Sequence, residues 1–266
     1  RDRGLVTADW RKPDVLGEQL LRVFQFGSVD ALRGAMNEAH ALALYRQSSK
    51  VQIKPASVMT WLRLGELQAE RIDLEDREFD AGALLANLPA LREMSRVRGN
   101  DLGARLVKVF AGAGARLVFV SAISGAATNG ATRMWRGRPV VQLADRGKCD
   151  DVFWFSLFHE IYHAAHDDLS TLHISFNAPG DANERAADEW ASAQLIPPGS
   201  IERLGPRPTI ASVRQLAREL NIAPGIVAGR LHHDGVWNHR IGRDLIVKLG
   251  IVEPSYVDCP GNLIAV

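Results

Sequence analysis

The sequence predicts an α+β fold, mainly α: a helical N-terminal region, a core of two packed helices backed by a small three-stranded antiparallel sheet, and a C-terminal helical pair. Three observations predict it. Apolar residues recur at helical spacing up to about residue 110, and a β-branched and aromatic stretch follows between residues 116 and 143. An almost wholly apolar helical segment then leads to a second helix that is stopped by Pro197-Pro198.

In the N-terminal region Leu16, Leu20, Val23 and Phe24 mark one helix, and Val58, Trp61, Leu62, Gly65 and Ala69 mark another. The breaks between helices are short: Gln47-Ser48-Ser49-Lys50, Lys54-Pro55 and Asn87-Leu88-Pro89. None is long enough to be a flexible linker, so these helices are expected to pack directly on the core. Arg116 to Ile123, Thr132 to Trp135 and Pro139 to Leu143 read as three strands, the last two joined as a hairpin through Arg136-Gly137-Arg138. Asp150-Asp151 supplies an N-cap signal for a helix from Val152 to His166, apolar on nearly every side and therefore buried. A loop from about Asp167 to Gly180 leads to the helix Ala182 to Leu195. Helices at Ile210 to Leu220 and Pro224 to Leu231 come next, then an irregular tail. The chain thus divides into residues 1–105, the helical N-terminal or linker region, 106–204, the core, and 205–266, the C-terminal helical pair and tail.

Composition narrows the function classes. With 266 residues, 46% hydrophobic and 24% charged, the chain can bury a core of one or two domains. A net charge of +1 lacks the basic excess of a nucleic-acid-coating protein, so any DNA contact is local. Cys149 and Cys259 are too few for a disulfide framework or a thiolate cluster, which fits a reducing cytoplasm. No apolar run approaches the roughly 18 residues of a membrane span, and no signal-peptide pattern opens the chain. The sequence starts Arg1-Asp2-Arg3 with no initiator methionine, which reads as a chain with something removed upstream.

The strongest chemical signal is His159-Glu160-Ile161-Tyr162-His163, an HExxH pentad inside the apolar helix. Imidazoles at i and i+4 share one helical face and can hold one metal ion, with Glu160 beside that face. Two histidines do not complete a catalytic zinc site, and Glu184, 21 residues beyond His163, is the candidate third ligand. Glu184 and Asp188 form an i, i+4 carboxylate pair, so one can ligate while the other fixes a ligand imidazole by hydrogen bonding. Ala187, Ala191 and Ala193 allow this helix to approach the pentad helix closely.

The run Phe153 to His163, followed by Asn183 to Ala191 and by Leu195-Ile196-Pro197, resembles the ImmA/IrrE family of metallopeptidases. Asn221 to Leu231 is similar to the C-terminal portion of that family, so the resemblance runs from about residue 106 to 235. The helical region before it resembles, more loosely, the segment that joins an Xre-type helix-turn-helix to the peptidase in HigA-like antitoxins. The resemblance implies a zincin-like, gluzincin-type Zn2+ site with His159, His163 and Glu184 as ligands, Glu160 as catalytic base and Asp188 behind a ligand. It also implies a cytoplasmic enzyme that cleaves a protein substrate, a helix-turn-helix repressor, in stress, mobile-element, toxin-antitoxin or phage-defence regulation.

Other roles stay open at this point. A hydrolase needs a donor for the developing oxyanion, and Tyr162 and His232 are candidates, as are His166, His173 and His233. The segment Gly125 to Arg133 is a candidate edge strand for pairing with substrate. Cys149 reads as a small buried hydrophobe, or else as a redox-sensitive neighbour or inhibitory ligand of the site. Ser212 to Leu231 has the Ala217, Ile222 and Val227 spacing of a helix-turn-helix, with Arg214, Arg218 and Arg230 able to face phosphate. Pro224-Gly225, however, opens its second helix with few base-reading side chains, so DNA binding is expected only through this helical pair or through a missing N-terminal domain. A proteolytically silent regulator or antitoxin that keeps the peptidase fold is the alternative function. An intact Glu160, which ligation does not need, favours an enzyme.

Overall fold

Helices come first along the chain, as the apolar spacing predicts. The structure, a computed structural model, describes residues 4–45, 53–97, 99–146, 148–170, 172–176, 182–252 and 262–265. The predicted break at Gln47 to Lys50, and Cys259, lie outside the described residues. α1 (Pro13–Phe24) starts on a proline whose fixed φ suits a first helical position, and stops where Gln25 turns left-handed at φ 59°. α2 (Val29–Tyr45) comes after it.

α3 (Pro55–Ala69) lies across one face of the sheet. It buries Val58, Trp61 and Leu64 against Val120, Ala131 and Ile174. Each such side chain contributes about 1.5–3 kcal/mol by leaving water. A polar seam completes the contact. The Trp61 Nε1–H donates to Val120 O at 3.1 Å, Gln68 Nε2 to Phe119 O at 2.8 Å and Gln142 Nε2 to Trp61 O at 2.6 Å. Gly65 lies close under this seam: a Cβ at that position would stand 1.9 Å from Gln142 Oε1, so Gln142 would have to shift.

α4 (Ala81–Ala86) is capped by Asp80, whose carboxylate accepts the Ala83 N–H at 3.0 Å. α5 (Leu88–Met94) carries Pro89 in its first turn, so the predicted break at Asn87 separates two helices as expected. α6 (Leu102–Gly112) leads into the sheet.

The sheet has four strands and is mixed, which corrects the predicted three-stranded antiparallel arrangement. β1 (Arg116–Phe119), β2 (Thr128–Trp135) and β3 (Arg138–Leu143) are joined by β4 (His173–Phe176) in the order β1-β3-β2-β4. β3 runs parallel to β1, while β2 is antiparallel to both β3 and β4. The hairpin turn Arg136-Gly137, with φ 47° and 72°, is as predicted. The connection from β1 to β2 is long enough to skip one strand position, and β3 returns from the hairpin to fill it. β4 lies within the segment expected to be a loop from Asp167 to Gly180; its His-Ile-Ser-Phe alternates polar and apolar residues, but over only four positions.

α7 (Asp150–His166) packs on the other face of the sheet, opposite α3, with Phe153, Trp154, Leu157, Phe158 and Ile161 in the main core beside Phe110, Phe119, Val141 and Leu143. α8 (Ala182–Leu195) lies against α7 through the fully buried Ala187 and Ala191, while Ala193 is half-buried. α9 (Ile210–Leu220) opens with a reciprocal Thr209–Ser212 cap and ends at Asn221 with φ 56°. α10 (Pro224–His233) packs on the start of α7: Cβ atoms at Gly225 and Gly229 would meet the Asp150 and Asp151 carboxylates at 2.6 and 2.4 Å. The tail, expected to be irregular, forms a two-stranded antiparallel ribbon of β5 (Leu249–Val252) and β6 (Asn262–Ala265), each too short for periodicity to show. Among the described residues no helix is long and apolar enough to cross a membrane.

Candidate metal centre

α7 carries the pentad into the interior because its own aromatic residues anchor it. Asp150 and Asp151 occupy its first turn, where carboxylates favour the helix dipole, and His163 and His166 occupy its last. His159, Glu160 and His163 are all buried, at 4%, 0% and 0% exposure.

The His159 and His163 Nε2 atoms lie 3.0 Å apart. Glu184, at the start of α8, brings its carboxylate to 3.4 Å from the first and 3.8 Å from the second. Each ring is held from behind by a carboxylate on its Nδ1: Asp188 at 2.8 Å for His159 and Asp167 at 2.7 Å for His163. When both Nδ1–H groups donate to these acids, both Nε2 atoms present lone pairs toward each other and toward Glu184. Three acceptors then converge on one buried point, an arrangement that a bound cation resolves. The local charge agrees. Burial works against a charged His159, but hydrogen bonds to Asp188 and Glu184 and the charges of Glu160 and Glu184 outweigh it and push the imidazole up to about 10.

Among the described residues a second set of metal-ligand types, His163, Asp167 and His173, shares His163 with the first. Asp167 and His173 both hold the His163 ring in place. Asp167 also accepts from Asn183 Nδ2 at 2.7 Å, and the His173 ring stacks on His163 with centroids 5.0 Å apart. Glu160 points to the sheet, where Thr132 and Ser175 donate hydroxyl hydrogen bonds to its two carboxylate oxygens.

The structure therefore brings together His159, Glu160, His163, Glu184 and Asp188. It does not bring His232 to them. That ring sits on α10 beside His239, its Nε2–H donating to Ile241 O at 2.8 Å, near Asp151. Eight residues of helix, about 12 Å, separate Asp151 from His159. Tyr162 lies nearer, in an aromatic group: it stacks on His166 at 4.7 Å, meets His163 edge-on at 5.7 Å and Trp190 at 5.9 Å. His233 is exposed, beside Asp234.

Cys149 stands just before α7 and, among the described residues, in no metal-ligand group with the pentad. Burial, with the Asp151 and Asp150 carboxylates, pushes its thiol up, the opposite of a reactive thiolate. The segment Gly125 to Arg133 is not an edge: its strand β2 is flanked by β3 and β4, and β4 takes the edge. α10 buries Gly225, Ile226, Val227, Ala228 and Leu231, so the second helix of the predicted helix-turn-helix faces the core.

Sequence reasoning missed Asp167, Asn183, Thr132 and Ser175 as parts of the site. Asp167 could have been found, since it falls four residues after His163 on the same helical face. The two hydroxyl residues carry no such signal.

Residues 113–232 match the family of the IrrE N-terminal-like domain, a peptidase family. No curated protein and no solved structure matches the chain. The matched segment runs from the end of α6 through α10 and encloses the sheet, the pentad and Glu184. Over these residues the chain is similar to the IrrE N-terminal-like domain, the domain of a metallopeptidase family.

Proposed function

We propose that the protein is a zinc-dependent endopeptidase of gluzincin type whose substrate is a helix-turn-helix transcriptional repressor. The observation that carries the catalytic part is the convergence of the His159, His163 and Glu184 acceptors on one buried point beside Glu160. His159, His163 and Glu184 would hold the zinc, and Asp188 and Asp167 would fix the two imidazoles in the tautomer that leaves Nε2 free. Bound zinc would lower the pKa of its water and polarise the scissile carbonyl.

Glu160 takes a proton from the attacking water as its oxygen bonds to the carbonyl carbon. It passes that proton to the amine nitrogen as the C–N bond breaks. The backbone of an extended substrate pairs with β4, the edge strand on the side of the sheet that holds Ser175 and His173. Tyr162 is the nearer of the two oxyanion-donor candidates.

The repressor substrate rests on family resemblance, as does a role in stress, mobile-element or toxin-antitoxin and phage-defence regulation. Direct DNA contact would belong to a domain preceding this chain, because α10 is occupied in the core. A reducing cytoplasm suits two cysteines and a repressor partner.

Elemental mass spectrometry of the purified protein and of Glu184→Ala tests the site. About one zinc per chain, lost in the variant, is expected. Zinc retained by Glu184→Ala would move the third ligand elsewhere. Glu160→Gln is expected to keep zinc and cut no repressor, and equal cleavage by both forms would remove the mechanism. Zinc binding with no cleavage by the wild type would leave the silent regulator.

A further inference from the structure

Glu160 is wholly buried, and no Lys or Arg forms an ion pair with it among the described residues. Two neutral hydroxyls take that place. Thr132 Oγ1, on the inner strand β2, donates to Oε2 at 2.7 Å, and Ser175 Oγ, on the edge strand β4, donates to Oε1 at 2.6 Å. Thr132 is fully buried and Ser175 nearly so. Gly130 pairs with Ser175, and Thr132 pairs with His173, so all four face α7 from adjacent positions. A Cβ at Gly130 would stand 2.3 Å from Glu160 Oε1, which shows how closely the β2 backbone lies against the carboxylate.

We infer that Thr132 and Ser175 are positioning residues that aim the Glu160 carboxylate, one from the fixed inner strand and one from the strand that receives substrate. The inference rests on the reading of Glu160 as the base. Hydroxyl donors satisfy both oxygens of a buried carboxylate without the full counter-charge that an Arg or Lys would place beside a proton acceptor. The strand that pairs with the substrate is then the strand that holds the base, so ordering β4 orders Glu160 as well.

Two measurements test this. In the labelled full chain, the Thr132 and Ser175 hydroxyl protons are expected as slowly exchanging NMR signals that disappear in Glu160→Ala. Fast exchange of both in the wild type would overturn the inference. With the zinc-loaded protein and a library of proteome-derived peptides read by mass spectrometry, Thr132→Val and Ser175→Ala are each expected to lower kcat about tenfold. KM is expected to stay within about twofold, with zinc content unchanged. Thr132→Ser and Ser175→Thr are expected to restore most of that loss, and their retained fold separates a lost hydroxyl from a damaged core. Wild-type kcat in both hydroxyl-free variants would overturn the inference. If the wild type cuts no peptide, the peptidase reading fails for that library, and the hydroxyl spectra still decide whether these side chains hold Glu160.

Discussion

Asp167 accepts the Nδ1–H of His163 from four residues further along, at 2.7 Å, as the cap residue that follows α7. The same oxygen accepts from Asn183, the neighbour of Glu184. One carboxylate thus ties His163 to the start of the helix that carries Glu184. Asp188 does the corresponding work for His159 from α8.

Asp167→Ala is therefore expected to weaken zinc affinity about 10–100-fold, with Asp188→Ala in the same range. Competition with a chromophoric chelator measures both. An Asp167→Ala protein with wild-type affinity would show that His163 is oriented by packing alone, through the stacked His173 ring.

The seat of α3 makes a separate prediction. Gly65→Ala places a methyl group 1.9 Å from Gln142 Oε1, in a seam where Gln142 also holds the Trp61 carbonyl and accepts from Arg133. Overpacking of this kind costs about 1–3 kcal/mol. Urea unfolding is expected to show that loss, and an unchanged midpoint would mean that Gln142 moves aside freely.

A pH dependence arises from Asp151. Burial against α10 raises its carboxyl above the ordinary range, opposed by backbone hydrogen bonds from Val152 and its own N–H and by nearby His232 and His239; Asp150 stands beside it. An acid with a raised folded pKa costs stability as pH rises from its unfolded value through its folded one, because the folded state must then ionise at an unfavourable site. Asp151→Asn is expected to gain stability relative to the wild type between about pH 4 and pH 7. Urea midpoints at the two pH values measure the difference. A constant difference across that range would show that Asp151 titrates alike in both states.

Much of the fold was legible in the residues. Helices at 13–24, 55–69, 182–195 and 210–220 follow from apolar spacing, proline starts and end caps, all of which act within a few residues. The strand order was not legible, because nothing in β1 records that β3 will insert beside it. β4 was hidden for another reason: its polar–apolar alternation, with His173 and Ser175 facing α7, spans only four residues, too few to stand out from a loop.

The sequence by itself determined the HExxH pair and the carboxylate pair of the candidate site. Residues at i and i+4 must share a helical face, so His159 with His163 and Glu184 with Asp188 were readable as pairs before any fold was known. Only the tertiary structure decided what surrounds them. Asp167 and Asn183 meet across two helices, Thr132 and Ser175 reach Glu160 from two strands, and His232 falls beyond reach on α10. The physical reason is range. Helical periodicity is imposed by backbone geometry over a single turn, whereas these contacts depend on which buried faces pack together across long stretches of chain.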